Sequence, residues 1–442
     1  MLQMCKTKIN DWPVLFLVAN SISWFSLTML IIGDFVSTYS LTETLIIPGA
    51  YFGGLIASAA VGATVLCNVL KEKRFLALWI LLGAIASILF SFAVTEGSSS
   101  LMLTALFLGA TTGLGIPTCF AFFADKTKIV KRGKAAAVMF FVIQLVSATI
   151  IFFTYSAGSD YQFTILAIWR VLGLIGLIGY APLQKISQEK TRTSLKAIVR
   201  ERTFILYFVP WFLFTLVNFI EAPIVEVYFG PEFNNMVVIT TLINSIAAFI
   251  GGVLCDLKGR KITGILGFVL LGLAYAFLSF FSSGPTNDIA PYLYVLFDGL
   301  AWGILFVTFI FVLWGDLSEE KVREKYYLIG SLPFLFSGMI EMLIHPIVKS
   351  IPISTSFSLA TFFLFLAIVP LLYATETLPE KAMKDRDLKS YLDKAQKIAE
   401  KEANKTQHKE KTKTEKKEEP EPVEEENSKE YEEAQKLAEQ YY

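Results

Sequence analysis

Long apolar runs separated by short polar gaps dominate residues 12 to 374. Their approximate limits are 12–33, 44–69, 75–95, 101–124, 135–157, 161–182, 204–228, 236–256, 262–282, 290–314, 327–348 and 354–374. Each is about the 20 residues a helix needs to cross a hydrocarbon core of roughly 30 Å. Runs of this length exhaust what a soluble core can bury, so the pattern predicts an all-α membrane protein with twelve transmembrane helices. The first run lacks a small-residue cleavage site and reads as a retained helix rather than a signal peptide.

Charge then orients the chain. Of the 24 Lys and Arg residues before the C-terminal tail, 22 fall before the first run or in alternate gaps, the gaps being Lys71–Arg74, Lys126–Lys134, Lys185–Arg202, Lys258–Lys261 and Lys321–Lys325. The exceptions are Lys349 and Arg170, the latter inside the sixth run. Cations concentrate on the cytoplasmic side of membrane proteins, so both termini are expected in the cytoplasm, and the expected location is the cell membrane. The zero net charge averages this region with a highly charged tail, which from Pro379 onward holds 33 of the 78 charges; it implies no nucleic-acid partner. Cys5, Cys67, Cys119 and Cys255 have no metal or disulfide spacing.

Two loops reveal an internal repeat. Asp125 is followed seven residues on by Arg132, and Asp316 is followed seven on by Arg323; the pairs lie 191 residues apart. The duplication predicts six-plus-six pseudo-repeats: an N-terminal bundle over 1–182, a cytoplasmic loop over 183–203, a C-terminal bundle over 204–378 and a charged tail over 379–442. Parallel repeats of this kind place a substrate site at their interface near the bilayer midplane.

Over roughly residues 10 to 375 the chain resembles the major facilitator superfamily. The segment Gly252-Val253-Leu254-Cys255-Asp256-Leu257-Lys258-Gly259-Arg260-Lys261 is similar to that family's cytoplasmic signature. Its chemistry is intelligible in itself. Gly252 permits close helix approach and Gly259 a tight turn, while Asp256 can pair with Arg260 or a neighbouring helix end, giving a gate that breaks and forms. A positive-inside turn with a capping Asp is the plainer reading. The equivalent N-terminal loop, Cys67 to Arg74, departs from the pattern. So do Gly109, where many members carry arginine, and the proline-free fifth helix, which argues against the drug-exporter branch.

The resemblance implies that helices 1, 4, 7 and 10 line a central cavity. Their polar and aromatic stripes then supply the candidates: Asn20, Trp24 and Thr28; Thr111 with Thr104 and Thr118; Phe214, Asn218 and Glu221; Tyr294, Asp298 and Trp302. Ionisable groups at a helix centre cost about 2.5–3.5 kcal/mol on insertion scales, which makes each a functional candidate. Glu221, Asp298 and the pair Glu341 and His345, one turn apart, are the proton-coupling candidates; simple interhelical hydrogen bonding is the alternative for each. Glu226 reads as solvated near the outer surface. Arg170 must turn inward, as a structural cation or an anion-binding one. Gly49, Gly53 and Ala57 read as a close-packing face.

The tail is Lys-rich through Lys417 and acidic from Glu418 to Glu433, too polar to bury a core. Disorder or a solvated helix is expected there, and its basic part suits anionic lipid or a cytoplasmic partner. The reading is a monomeric secondary transporter in the lipid bilayer that moves a small-molecule substrate, a small organic solute, by alternating access, with proton coupling. It is not an enzyme and needs no cofactor or metal. A non-transporting sensor or scaffold signalling through its tail, and an exporter of hydrophobic compounds, are the alternatives.

Overall fold

The structure, a computed structural model, describes residues 12–36, 41–93, 97–157, 161–178, 193–282, 289–319, 322–348 and 351–381, and scattered helical positions from 383 to 401 and at 436. It has two compact units, Met1–Thr377 and Leu378–Tyr442.

Every regular element described in the first unit is helical. The long helices are α1 (Trp12–Val36), α2 (Leu41–Val61, continued by a π-helical turn Gly62–Leu66 and Cys67–Val69), α3 (Glu72–Ala93), α4 (Ser98–Lys126), α5 (Arg132–Ala157) and α6 (Gln162–Leu172 with Ile175–Ile178). After a short helix at Leu195–Arg200 come α7 (Arg202–Phe229), α8 (Phe233–Lys258), α9 (Arg260–Phe281), α10 (Ala290–Phe306, continued by a π-helical stretch Val307–Leu313 and Trp314–Leu317), α11 (Arg323–Val348) and α12 (Ile353–Leu366 with Ile368–Tyr373). Among the described residues, ten segments are long and apolar enough to cross a membrane; one of them, the 57-residue segment Arg202–Lys258, contains both α7 and α8, and α6 is shorter than the rest. This is an all-α, multi-spanning membrane fold.

Lipid explains the surface. On α3, Leu81, Ile85, Ile88 and Phe92 are all exposed, a stripe at three- to four-residue spacing that only a hydrocarbon solvent accommodates. The opposite face buries Phe75, Trp79 and Phe90. Pro48, Pro117, Pro210 and Pro223 sit inside helices, a placement more common in membrane-spanning helices than in soluble ones.

Small residues set the closest approaches. A Cβ on Gly109 of α4 would lie 1.9 Å from the Tyr51 carbonyl oxygen of α2, and one on Gly113 equally close to that of Leu55. In the C-terminal part α8 and α10 meet the same way, with Gly303 against the Asn244 carbonyl at 2.3 Å. The expected packing face at Gly49 and Gly53 is corrected: a Cβ at either would meet nothing within 4 Å. The contact falls on Gly54, whose Cβ would lie 2.4 Å from the Leu106 carbonyl oxygen. At about 100° of turn per residue, the shift from 53 to 54 moves the contact to a different face.

In the second unit, Lys384 and Glu380 form an exposed i,i+4 pair at 3.0 Å. The predicted acidic stretch, Glu418 to Glu433, lies outside the described residues.

Candidate functional site

A cavity of about 250 Å³ opens between α7, α8 and α10. From α7 it takes Asn218, Ala222, Val225 and Phe229; from α8, Phe233, Met236, Thr240 and Asn244 among others; from α10, Tyr294, Asp298 and Trp302. Phe229 ends α7 and Phe233 begins α8, so the cavity lies toward the helix ends opposite the basic loops.

The α7 wall follows helical geometry. Residues 218, 222, 225 and 229 return to one stripe, whereas 221 stands about 60° to its side. Glu221, predicted from the 214–218–221 spacing to face the same cavity, therefore turns to α12, where the Ser356 hydroxyl donates to both carboxylate oxygens at 2.7 Å. Phe214 likewise packs inward, against Trp211 and edge-on to Trp302.

Asn218 is oriented by its donors. Trp302 Nε1 donates to its side-chain oxygen at 2.9 Å, and Tyr275 Oη does so at 3.2 Å. An indole N–H can only donate, so the amide oxygen must face α10 and the NH2 group points elsewhere. Asp298, 5% exposed, borders the cavity, and its Oδ1 is buried without a hydrogen-bond donor. The side-chain Oδ1 of Asn244 is in the same condition. Among the described residues the cavity lining holds no cation.

The candidates from helices 1 and 4 are used differently. Asn20 donates to the Trp169 carbonyl at 2.6 Å and accepts from Arg170 Nη1 at 3.0 Å. Ser21 accepts from the same nitrogen at 2.9 Å. The guanidinium is sandwiched between Trp24 and Trp79, its carbon 4.7 and 4.1 Å from their ring centroids. Trp24 Nε1 donates to Ser87, and Trp79 Nε1 to the Thr111 carbonyl. Thr28 and Thr111 bond back to their own helix. Asn20, Trp24 and Thr111 are thus buried around a cation that, among the described residues, has no carboxylate partner, Thr28 is buried one turn from Trp24, and none of the four is in the cavity lining. The reason is Arg170 itself: 0% exposed, it draws nearby polar and π-rich groups to its side.

At the basic-loop end the two acid-to-arginine segments meet. Arg132 pairs with Asp316, and Arg323 pairs with Asp125, so each loop's arginine reaches the other loop's acid. Each arginine also folds back on its own loop. Arg132 Nε donates to Thr127 Oγ1 at 3.1 Å, and Arg323 Nε to Ser318 Oγ at 3.2 Å. Thr127 and Ser318 share the offset of the acids and arginines, a correspondence the sequence offers once the register is known.

The signature segment joins them. Asp256 accepts from the backbone N–H groups of Gly133 and Lys134, both at 2.9 Å, and so caps the start of α5. Gly252 allows this, since a Cβ there would lie 2.3 Å from the Gly133 carbonyl oxygen. Arg260 lies 3.7 Å from Asp256, but its Nε donates to Asp316 Oδ2 at 2.7 Å. Asp316 therefore holds Arg132 and Arg260 together. Gly259, at φ +99°, turns the chain so that Glu376 can accept from the N–H groups of Arg260 and Lys261 at 2.8 and 3.1 Å. Lys261 Nζ donates to the Leu372 carbonyl. Glu376 and the Asp316–Arg260 link were not among the sequence candidates, because neither is local to the signature. Behind the ions, Phe120 packs on Phe311 and Tyr327, and Phe123 on Phe311.

Glu341 is half-buried on α11, and the side chain of His345 lies outside the described residues. Among the described residues no three His, Cys, Asp or Glu side chains gather as metal ligands.

Comparison with curated proteins gives no match. Among solved structures the chain is similar to the proton:xylose symporter XylE bound to 6-bromo-6-deoxy-D-glucose, with TM-score 0.64, 16% identity, and coverage of 84% of this chain and 96% of that one. A double-tryptophan variant of XylE gives 0.63 at 15% identity, covering 86% and 98%. The human organic anion transporter MFSD10 (TETRAN) gives 0.58 at 13% identity, covering 82% and 98%. The family model described as Major Facilitator Superfamily matches residues 13–313. With a signature segment that ties helix ends together at the basic-loop end, a cavity toward the opposite end and a family match over more than half its length, the chain belongs to the Major Facilitator Superfamily, whose members are carriers and not enzymes.

Proposed function

We propose that this chain is a secondary carrier of a small organic solute that works by alternating access, with α1–α6 and α7–α12 as two six-helix bundles that rock about the cavity. In this reading the bundles span 1–182 and 204–378, the loop at 183–203 joins them, and both termini lie with the basic loops in the cytoplasm. The observation that carries the reading is the latch. Reciprocal Arg–Asp pairs join the two repeats at the basic-loop end, whereas the cavity lies toward the other end. Such a pattern describes one of two alternating conformers, the one closed to the cytoplasm.

Proton coupling forms part of the proposal. Glu221, Asp298 and Glu341 are carboxylates on α7, α10 and α11, and among the described residues none has an ion-pair partner. An acid without a fixed cation is free to exchange a proton as the bundles move. The charged tail serves as a cytoplasmic appendage in this scheme, and a scaffold acting through it is the competing reading.

The test is uptake into proteoliposomes from a metabolite panel, with and without an imposed pH gradient. Saturable flux that is lost in Asp298→Asn and driven by the gradient is expected. Signalling output that survives Asp298→Asn but disappears on deleting residues 379–442 would favour the scaffold.

A further inference from the structure

We propose that the cavity between α7, α8 and α10 is built for a small organic cation, an amine that carries N–H donors. This rests on the carrier reading and names its substrate class.

Two acceptors at the cavity lack donors. Asp298 Oδ1 on α10 and Asn244 Oδ1 on α8 are both buried and unpartnered, although each residue borders the same space. A buried acceptor left without a donor costs about 1–3 kcal/mol, more when charged, and such groups call for an explanation in the function. The neighbouring polar groups do not relieve them. Trp302 Nε1 and Tyr275 Oη are committed to Asn218, and Ser356 to Glu221. Among the described residues no Lys, Arg or His borders the cavity, so within that lining an ionised Asp298 would be neutralised only by something that enters.

The rest of the wall fits the same guest. Phe229, Tyr294 and Trp302 add aromatic rings to the wall that Asp298 borders. Tyr294 and Phe229 lie 6.0 Å apart in a tilted pair. Ring faces attract a cation as well as an alkyl or aryl body, most strongly where water is excluded. An anion would find one carboxylate and no cation. A neutral polyol would leave the carboxylate to be neutralised by a proton, whereas an ammonium group brings both the charge and the N–H donors. The volume of about 250 Å³ falls just under the usual range for drug-sized ligands, which limits the guest to a small amine.

The experiment uses the purified full-length chain in detergent. Thermal stability and tryptophan fluorescence are titrated with a series from methylammonium to phenethylammonium, and with 2-phenylethanol and phenylacetate as neutral and anionic counterparts. At least one amine should bind saturably, and the two counterparts should not. Asp298→Asn should weaken that amine at least tenfold and Asn244→Ala several-fold, with unchanged melting temperatures for the free variants. The proposal is overturned if no amine binds, if phenylethanol or phenylacetate binds as tightly, or if Asp298→Asn leaves amine affinity intact. If Asp298→Asn fails to fold, Asp298→Glu keeps the charge and should retain amine selectivity; loss of selectivity there counts against the proposal. Proteoliposome flux separates the two claims. Transport of an uncharged or anionic solute with no amine binding rejects the substrate class and keeps the carrier, whereas amine binding with no flux of any solute rejects the carrier.

Discussion

Replacing Asp316 by Asn should release the latch. Its carboxylate has no solvent-exposed surface and receives Arg132 from the first repeat and Arg260 from the second. Each hydrogen bond to a charged group contributes about 1.5–3 kcal/mol, so the two together contribute roughly 3–6 kcal/mol. The independent expectation for removing one member of a buried ion cluster is about 3–5 kcal/mol, because the remaining charges stay buried without compensation. Asn keeps one of the two acceptor oxygens and none of the charge, puts NH2 donors toward one arginine and leaves two guanidinium groups uncompensated. If these contacts form only in the conformer closed at the basic-loop end, a loss of about 3 kcal/mol shifts the equilibrium between conformers more than a hundredfold. Spin labels at the exposed Lys128 and Lys258, in a chain whose native cysteines are serine, report the separation of the two repeats by double electron–electron resonance. The wild-type chain should give a short distance and Asp316→Asn a longer or bimodal one. Adding Arg132→Met, which removes one stranded cation, should restore part of the short population. A folded Asp316→Asn protein with an unchanged distance distribution would refute the latch.

Three further outcomes follow from individual contacts. Gly109→Ala places a Cβ 1.9 Å from the Tyr51 backbone oxygen, so the variant should lose monodisperse material in size-exclusion chromatography; Gly53→Ala, with open space around it, should not. Arg170→Lys keeps the charge but forfeits the planar contact with Trp24 and Trp79, so thermal unfolding in detergent should show a loss of about 2 kcal/mol or more; equal stability would show that charge alone suffices. Glu376→Ala removes the acceptor at the start of α9 and should cost about 0.5–2 kcal/mol in the same assay, with Glu376→Gln intermediate.

Hydrophobic length, loop charge and the seven-residue spacing from acid to arginine were all readable along the chain, because each depends on solvent or on immediate neighbours. They were enough for the fold class and for Asp125, Arg132, Asp316 and Arg323 as a repeated set. The signature segment was local in part: a close helix approach and a tight turn dictate Gly252 and Gly259, whereas Asp256 caps α5 from far away in the sequence. Tertiary structure decided which arginine meets which acid. The arginines cross between repeats, and Asp316 joins two of them, since pairing depends on how helix ends far apart in sequence converge. It also decided rotation. Asn218 faces the cavity and Glu221 does not, although they are three residues apart on one helix, and Gly54 packs where Gly53 does not. Asn20, Trp24 and Thr111 looked like cavity residues because polar and aromatic groups in an apolar helix serve a pathway and an interior equally well. Only the position of Arg170, a buried cation from another helix, assigned them to the interior. A sequence records which groups a helix carries, whereas the angle at which that helix meets its neighbours determines whether they face a partner, a cavity or lipid.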